Sequence, residues 1–170
     1  MRRTTSKATA IATILTLFLA LAGSPALGQA ELTQNKTDEF TGNKIIQTAY
    51  QSVEVQERGD ESLYRQVVSV FYNEGTWGLL LETTSDSWVL LGEDTAYFLV
   101  DGERFERRLV SADREVQDGG SVYERKGVPL NEEIRTAIAT AEEVRMKTGS
   151  YVFDISEAVD NEIQTIQAEL

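Results

Sequence analysis

The side chains available for covalent chemistry are few, and their types narrow the field. The 170 residues contain no histidine and no cysteine. That removes the Ser-His-Asp triad, cysteine nucleophiles, histidine zinc sites, haem held by His or Cys, and thiol redox chemistry. Serine, lysine, tyrosine and abundant carboxylates remain. Three acid pairs fall in or near expected turns: Glu93 with Asp94, Asp101 with Glu103, and Asp113 with Glu115. A glycosidase needs two carboxylates a set distance apart across a cleft, and chain spacing does not place these. No lysine stands in the spacing of a known Ser-Lys motif. Asp-x-Asp-x-Asn-Gly calcium loops are absent. Asp118-Gly119-Gly120 and Asp60-Glu61 offer some oxygens, but a calcium site needs about six to eight; solvated turns account for both. Neither a metal nor a cofactor is expected.

Binding residues are better represented. Trp77, Leu79 and Leu81 share a strand face and read as core. Trp88 follows a polar turn; core is the plainer reading for it too, and an exposed aromatic used in binding is the alternative. The run Arg104-Phe105-Glu106-Arg107-Arg108 is the only local basic concentration in the middle of the chain. Arg104 and Arg108 are candidates for an anion or partner contact, with a solvated strand face as the plainer explanation. Arg107 shares its face with Phe105 and Leu109, and Glu124 shares its face with Val122. A buried charge is tolerated only when paired and hydrogen-bonded. Opposing side chains on antiparallel neighbours lie about 5 Å apart. If both faces lie on the covered side of the sheet, the sequence predicts a structural ion pair between Arg107 and Glu124; the alternative is that one or both point to water and pair with nothing.

The elements that must position these residues are mostly strands. Apolar alternation and turn signals predict strands at 44–55, 64–72, 77–84, 88–91, 95–100, 103–110 and 121–127. Apolar residues on both sides of 64–72 mark it as central. Asp101-Gly102 is the strongest hairpin signal. The period then changes: 129–141 reads as a helix with Asn131 as N-cap, and Ile134, Ala137, Ile138 and Ala141 follow helical spacing. A hairpin at 144–155 turns at Gly149-Ser150. Ser156 is the expected cap of a last helix striped by Val159, Ile163, Ile166 and Leu170. The absence of strand-helix-strand alternation argues against a parallel sheet. The expected class is α+β, a twisted antiparallel meander with two helices in the C-terminal part packed on one face. A lipocalin-like closed barrel is the alternative, but a helix at 130–141 sits too deep in the chain for it.

The start of the chain places the domain. Arg2, Arg3 and Lys7 precede an apolar stretch of about 15 residues, suited to a signal peptide and short for a membrane span. Two small-x-small frames follow: Ala26-Leu27-Gly28 before Gln29, and Gly28-Gln29-Ala30 before Glu31. The expected organisation is a secretory signal peptide at 1–28, a flexible polar leader or early cap on the sheet at 29–43, and a single domain at 44–170. The chain has 16 basic and 28 acidic residues. Three of the basic residues lie in the signal and no acid does, which leaves 13 basic against 28 acidic, net −15. Nucleic acid is not expected as a partner, because phosphate binding needs a basic face and the net charge is strongly negative. No second apolar segment spans a membrane, and no disulfide can form. Export to the periplasm or the medium is the expected localisation.

Beyond these readings, the chain resembles small exported bacterial domains that lack an assigned activity. The motifs carrying the likeness are Trp77 and Trp88 in the meander, Asp101-Gly102, Glu124 on the following strand, Ala141-Glu142-Glu143-Val144-Arg145-Met146-Lys147-Thr148-Gly149, and Phe153-Asp154-Ile155-Ser156. The resemblance implies fold and compartment, not function. From the residues, the expected function is non-enzymatic: a ligand-binding or protein-interaction domain for an envelope protein or a small ligand. The alternative is a carboxylate-dependent hydrolase. Buried acids converging in a cleft would favour the enzyme; a broad apolar groove or an exposed strand edge would favour binding.

Overall fold

The computed structural model describes residues 30–57 and 63–170. The expected signal peptide and the expected turn at 58–61 lie outside the described residues. Twelve strands and two helices follow in order: β1 (Leu32–Thr37), β2 (Lys44–Thr48), β3 (Gln51–Ser52), β4 (Glu54–Glu57), β5 (Leu63–Asn73), β6 (Thr76–Ser85), β7 (Thr95–Val100), β8 (Glu103–Arg108), β9 (Val110–Val116), β10 (Val122–Leu130), α1 (Glu132–Ile138), β11 (Val144–Thr148), β12 (Tyr151–Asp154) and α2 (Ser156–Glu169). All strand pairing is antiparallel. The class is α+β, as expected. No described helix is long and apolar enough to cross a membrane.

The hairpins are local, but their assembly is not a single meander. A seven-stranded sheet runs β1-β2-β5-β6-β10-β9, with the short β3 also on β5. A five-stranded sheet runs β4-β12-β11-β7-β8. Alternation sets what each buries. Ala96, Phe98 and Val100 of β7, Val144 and Met146 of β11, and Tyr151 and Phe153 of β12 point inward from the smaller sheet. Val68, Val70, Leu79, Leu81 and Val128 do so from the larger, and all join one core with both helices. Helix α2 packs on β5 and β2, and α1 touches β10 and α2. Both helices thus serve the larger sheet. Val67, Val68, Ser69 and Val70 are all buried, as befits the central position of β5.

Several local expectations change. The segment 32–37, expected within the polar leader, is the edge strand β1, paired along β2. The expected strand at 44–55 breaks after Thr48 and again at Val53, where the chain leaves the larger sheet so that β4 can join β12. Residues 88–91 are not a strand but part of a bent connection. Strand β10 runs on through Pro129 and Leu130, so α1 starts later than predicted; Asn131 caps it, its Oδ1 accepting from the Ile134 amide at 3.1 Å. Ser156 is not the N-cap of α2, a position taken by Ile155. Its hydroxyl instead donates to Asp154 Oδ1 at 2.8 Å and accepts from the Val144 amide at 2.8 Å, tying the helix start to β11. The Asp101-Gly102 turn forms as expected, with φ of 47° and 87°.

The predicted Arg107–Glu124 pair does not form. The expected strand at 103–110 ends at Arg108, and β9 starts at Val110 in the other sheet. Strand β9, not β8, is therefore the neighbour of β10, and Glu124 lies opposite Arg114 and Thr83. Arg107 lies opposite Ala96, and its Nη1 donates to the Glu106 carbonyl at 2.8 Å. Glu124 is buried, the covered of the two alternatives, but solves its charge differently. Its Oε2 accepts from the amides of Val89 and Leu90 at 2.7 and 2.9 Å. Two residues on, Lys126 Nζ donates to the Glu93 carbonyl at 3.1 Å. The inward charges of β10 thus hold the 86–94 connection that carries the chain from one sheet to the other. Glu124→Ala should destabilise by about 1.5–3 kcal/mol, because two amides lose a charged acceptor. Glu124→Gln, which keeps an acceptor oxygen, should cost less. Urea unfolding midpoints of the two variants check this; equal small losses would mean that the connection does not depend on the carboxylate.

Candidate functional site

The outer face of the five-stranded sheet is built by the alternation that makes its inner face. With Ala96, Phe98 and Val100 inward, Thr95, Tyr97 and Leu99 point out from β7. Arg104, Glu106 and Arg108 do so from β8, Arg145 and Lys147 from β11, and Val152 from β12. Register then sets the rows. Asp154, Arg145, Leu99 and Arg104 lie side by side across four strands. Val152, Lys147, Tyr97 and Glu106 form the next row. Arg108 stands beyond, opposite Thr95.

The centre of this face is an open depression of about 460 Å³, lined by Tyr97, Phe98, Leu99, Arg104, Arg145, Lys147 and Val152. The Arg104 guanidinium lies over the Tyr97 ring, 4.6 Å from its centroid. Such stacking holds the cation in place while leaving its edge able to donate. Arg145 is steadied by Glu143, with Nε 3.0 Å from Oε1. Four of the 13 cations that follow the expected signal therefore share one face with an aromatic ring and two aliphatic side chains. The surface offers charge-assisted hydrogen bonds to carboxylate, sulfate or phosphate, and apolar contact beside them.

Of the residues singled out from sequence, Arg104 lines the depression and Arg108 shares its face two rows away. Trp88 is 37% exposed in the 86–94 connection and does not line it. Tyr97, Arg145, Lys147 and Val152 were missed. Outward alternation within 95–99 and 145–147 was a usable signal, but nothing local says that β11 pairs with β7.

The carboxylate pairs do not converge. Asp101 Oδ1 accepts from the Glu142 and Glu143 amides at 3.1 and 2.9 Å, locking a turn. Asp113 lies on β9, 3.8 Å from Arg125. Glu93 and Asp94 end the 86–94 connection. Glu54, Glu142, Glu143 and Glu157, which border a depression beside β4 and α2, are open to solvent. Among the described residues no group of three or more His, Cys, Asp or Glu is arranged to hold a metal.

Two acids are buried elsewhere. Glu82 of β6 lies on the outer side of the larger sheet, 3.7 Å from Arg125 and 3.9 Å from Arg65. The phenols of Tyr50 and Tyr123 bond to it, and burial first, then the bond to Glu82, pushes both phenols above their ordinary range. These tyrosines hold their protons and bind Glu82 as donors. Glu162 of α2 is 3% exposed, and its Oε2 has no hydrogen-bond partner among the described residues. Burial, with Asp160 adding to it, raises its carboxyl to about 7. Comparison of the chain with protein-family models, with curated proteins and with solved structures gives no match.

Proposed function

We propose that the chain is an exported binding domain without catalytic activity, and that its working surface is the outer face of the five-stranded sheet. The observation that carries this reading is the basic and aromatic cluster of Arg104, Arg145, Lys147 and Tyr97 on a chain that is otherwise strongly acidic. In such a chain most of the surface repels anions, and this face is where an anionic group of a small ligand or an envelope protein is held. Tyr97, Leu99 and Val152 add apolar contact, and Arg104, already stacked, loses little freedom on binding.

The test is affinity capture of the tagged mature protein from its own envelope fraction, followed by mass spectrometry. The Arg104→Glu/Lys147→Glu variant should recover the partner at least tenfold less well than the wild type. Arg114→Glu, on the larger sheet, should recover it normally. Recovery should also fall with added salt, since the contacts are near the surface. Undiminished capture by the double variant would overturn the reading.

A further inference from the structure

Strand β8 is an edge of the five-stranded sheet, paired with β7 on one side and, among the described residues, with no strand on the other. It reads Glu103, Arg104, Phe105, Glu106, Arg107, Arg108. Across β7 these residues face Val100, Leu99, Phe98, Tyr97, Ala96 and Thr95, none of them charged. None of the charged side chains of β8 has an ion-pair partner among the described residues. Arg107 Nε is shut off from solvent without a hydrogen-bond partner there. A free edge is a template for another strand, and charges on it ordinarily discourage one. The order of the charges on β8 instead selects one particular strand.

The two-residue turn at Asp101-Gly102 decides which backbone groups of β8 are free. It closes on Val100 and Glu103 as a hydrogen-bonded pair, and bonded pairs alternate along an antiparallel ladder. Glu103, Phe105 and Arg107 therefore turn their amides and carbonyls to β7. Arg104, Glu106 and Arg108 turn theirs to the open edge, where a side chain, Arg107 Nη1, donates to the Glu106 carbonyl at 2.8 Å. A second β8 running antiparallel can match these groups in few registers. Centred on Phe105, Arg104 meets Glu106 of the second copy, Glu106 meets its Arg104, and their free backbone groups bond. Glu103 and Arg107 meet reciprocally on the inner face, which brings a carboxylate to the side of Arg107. The two Phe105 side chains meet at the axis. Every opposed charge then has the opposite sign. Centring on Arg104 or on Glu106, the adjacent registers that keep the backbone match, sets arginine on arginine or glutamate on glutamate, which is destabilising.

We infer that β8 is a self-complementary edge, through which two copies of this chain pair antiparallel about Phe105 and join their five-stranded sheets into one. The contact is isologous, so each ion pair occurs twice. A second copy is the fitting occupant because the order minus, plus, apolar, minus, plus is its own complement when reversed. The inference stands apart from the anion-binding reading, although Arg104 serves both: stacking on Tyr97 leaves its edge able to donate.

A contact one strand wide belongs with the small interfaces, below about 1,200 Å², so a concentration-dependent equilibrium between monomer and dimer is expected. Sedimentation equilibrium of the mature protein near neutral pH, from about 10 μM to about 1 mM, should show it; a monomer throughout overturns the inference. Arg104→Glu and Glu106→Arg each oppose like charges twice and should each weaken the dimer at least tenfold. Lys147→Glu makes the same change of charge on the same face but two strands from the edge, and should weaken it less than twofold. All three side chains are exposed, so the core is untouched. The Arg104→Glu and Glu106→Arg chains, each monomeric alone, should dimerise when mixed, because each supplies the charge that the other lacks. A dimer that Arg104→Glu leaves intact, or that Lys147→Glu weakens equally, overturns the pairing, and so does a mixture that stays monomeric.

Discussion

Replacing Glu82 by alanine is expected to destabilise the protein by about 2–4 kcal/mol. The carboxylate is 9% exposed and serves four partners: the guanidinium groups of Arg65 and Arg125 and the phenols of Tyr50 and Tyr123. Breaking a buried pair costs about 3–5 kcal/mol when the surviving charge is trapped. Here the arginine side chains are 56% and 34% exposed, so they recover water and the expected loss is smaller. The phenols supply the distinguishing readout. Without Glu82, both should titrate at lower pH in a spectrophotometric titration, because an acceptor that favours the protonated phenol has gone. A double-mutant cycle with Tyr123→Phe should show coupling of at least 0.5 kcal/mol. Strict additivity, with unmoved tyrosine titration, would mean that the four groups are neighbours without being a network.

The second large effect is in the core. Ile163→Ala should cost about 3–5 kcal/mol and Ile138→Ala about 2–3 kcal/mol, although both side chains are fully buried. The order follows from how far each site can collapse. Ile163 lies in the 14-residue helix α2, held against β5 and β2, where rigid strands cannot follow the missing atoms. Ile138 ends the seven-residue α1, which meets only β10 and α2 to any extent and can settle inward. Chemical denaturation of the two variants measures both values. A reversed order would show that α1, not α2, is the stiffer layer.

How much of this was legible depends on the range of the interaction. Turns and caps are decided within a few residues, so the Asp101-Gly102 hairpin and the Asn131 cap were readable. Alternation and turn signals placed the strands at 95–100 and in the 144–155 hairpin that form β7, β11 and β12. Sheet membership is a contest between distant strands, and no local pattern records it. That is why 103–110 read as one strand, although Leu109 is where the chain changes sheets, and why Arg107 and Glu124 were paired wrongly. The shared face of Glu124 and Val122 was legible; the partners of Glu124 were not, because backbone amides leave no mark in a sequence. The candidate face was half visible. Arg104 and Arg108 stood out as a cluster, but Arg145, Lys147 and Val152 join them only through the pairing of β11 with β7. The 32–37 segment read as leader because an edge strand with one half-solvated face needs few apolar residues.

The repeated passage of the chain between the two sheets has a consequence for how the molecule comes apart. Strands β1 to β3 belong to the larger sheet, β4 to the smaller, β5 and β6 to the larger, β7 and β8 to the smaller, β9 and β10 to the larger, and β11 and β12 to the smaller. No single cut in the chain separates one sheet from the other, and both feed one core. Neither half can therefore act as an independent unit of unfolding. Interior amides of β6 and of β11 should open to hydrogen exchange with the same free energy, the global one. A sheet that exchanged earlier than its partner would reveal a seam that the threading of the chain does not provide.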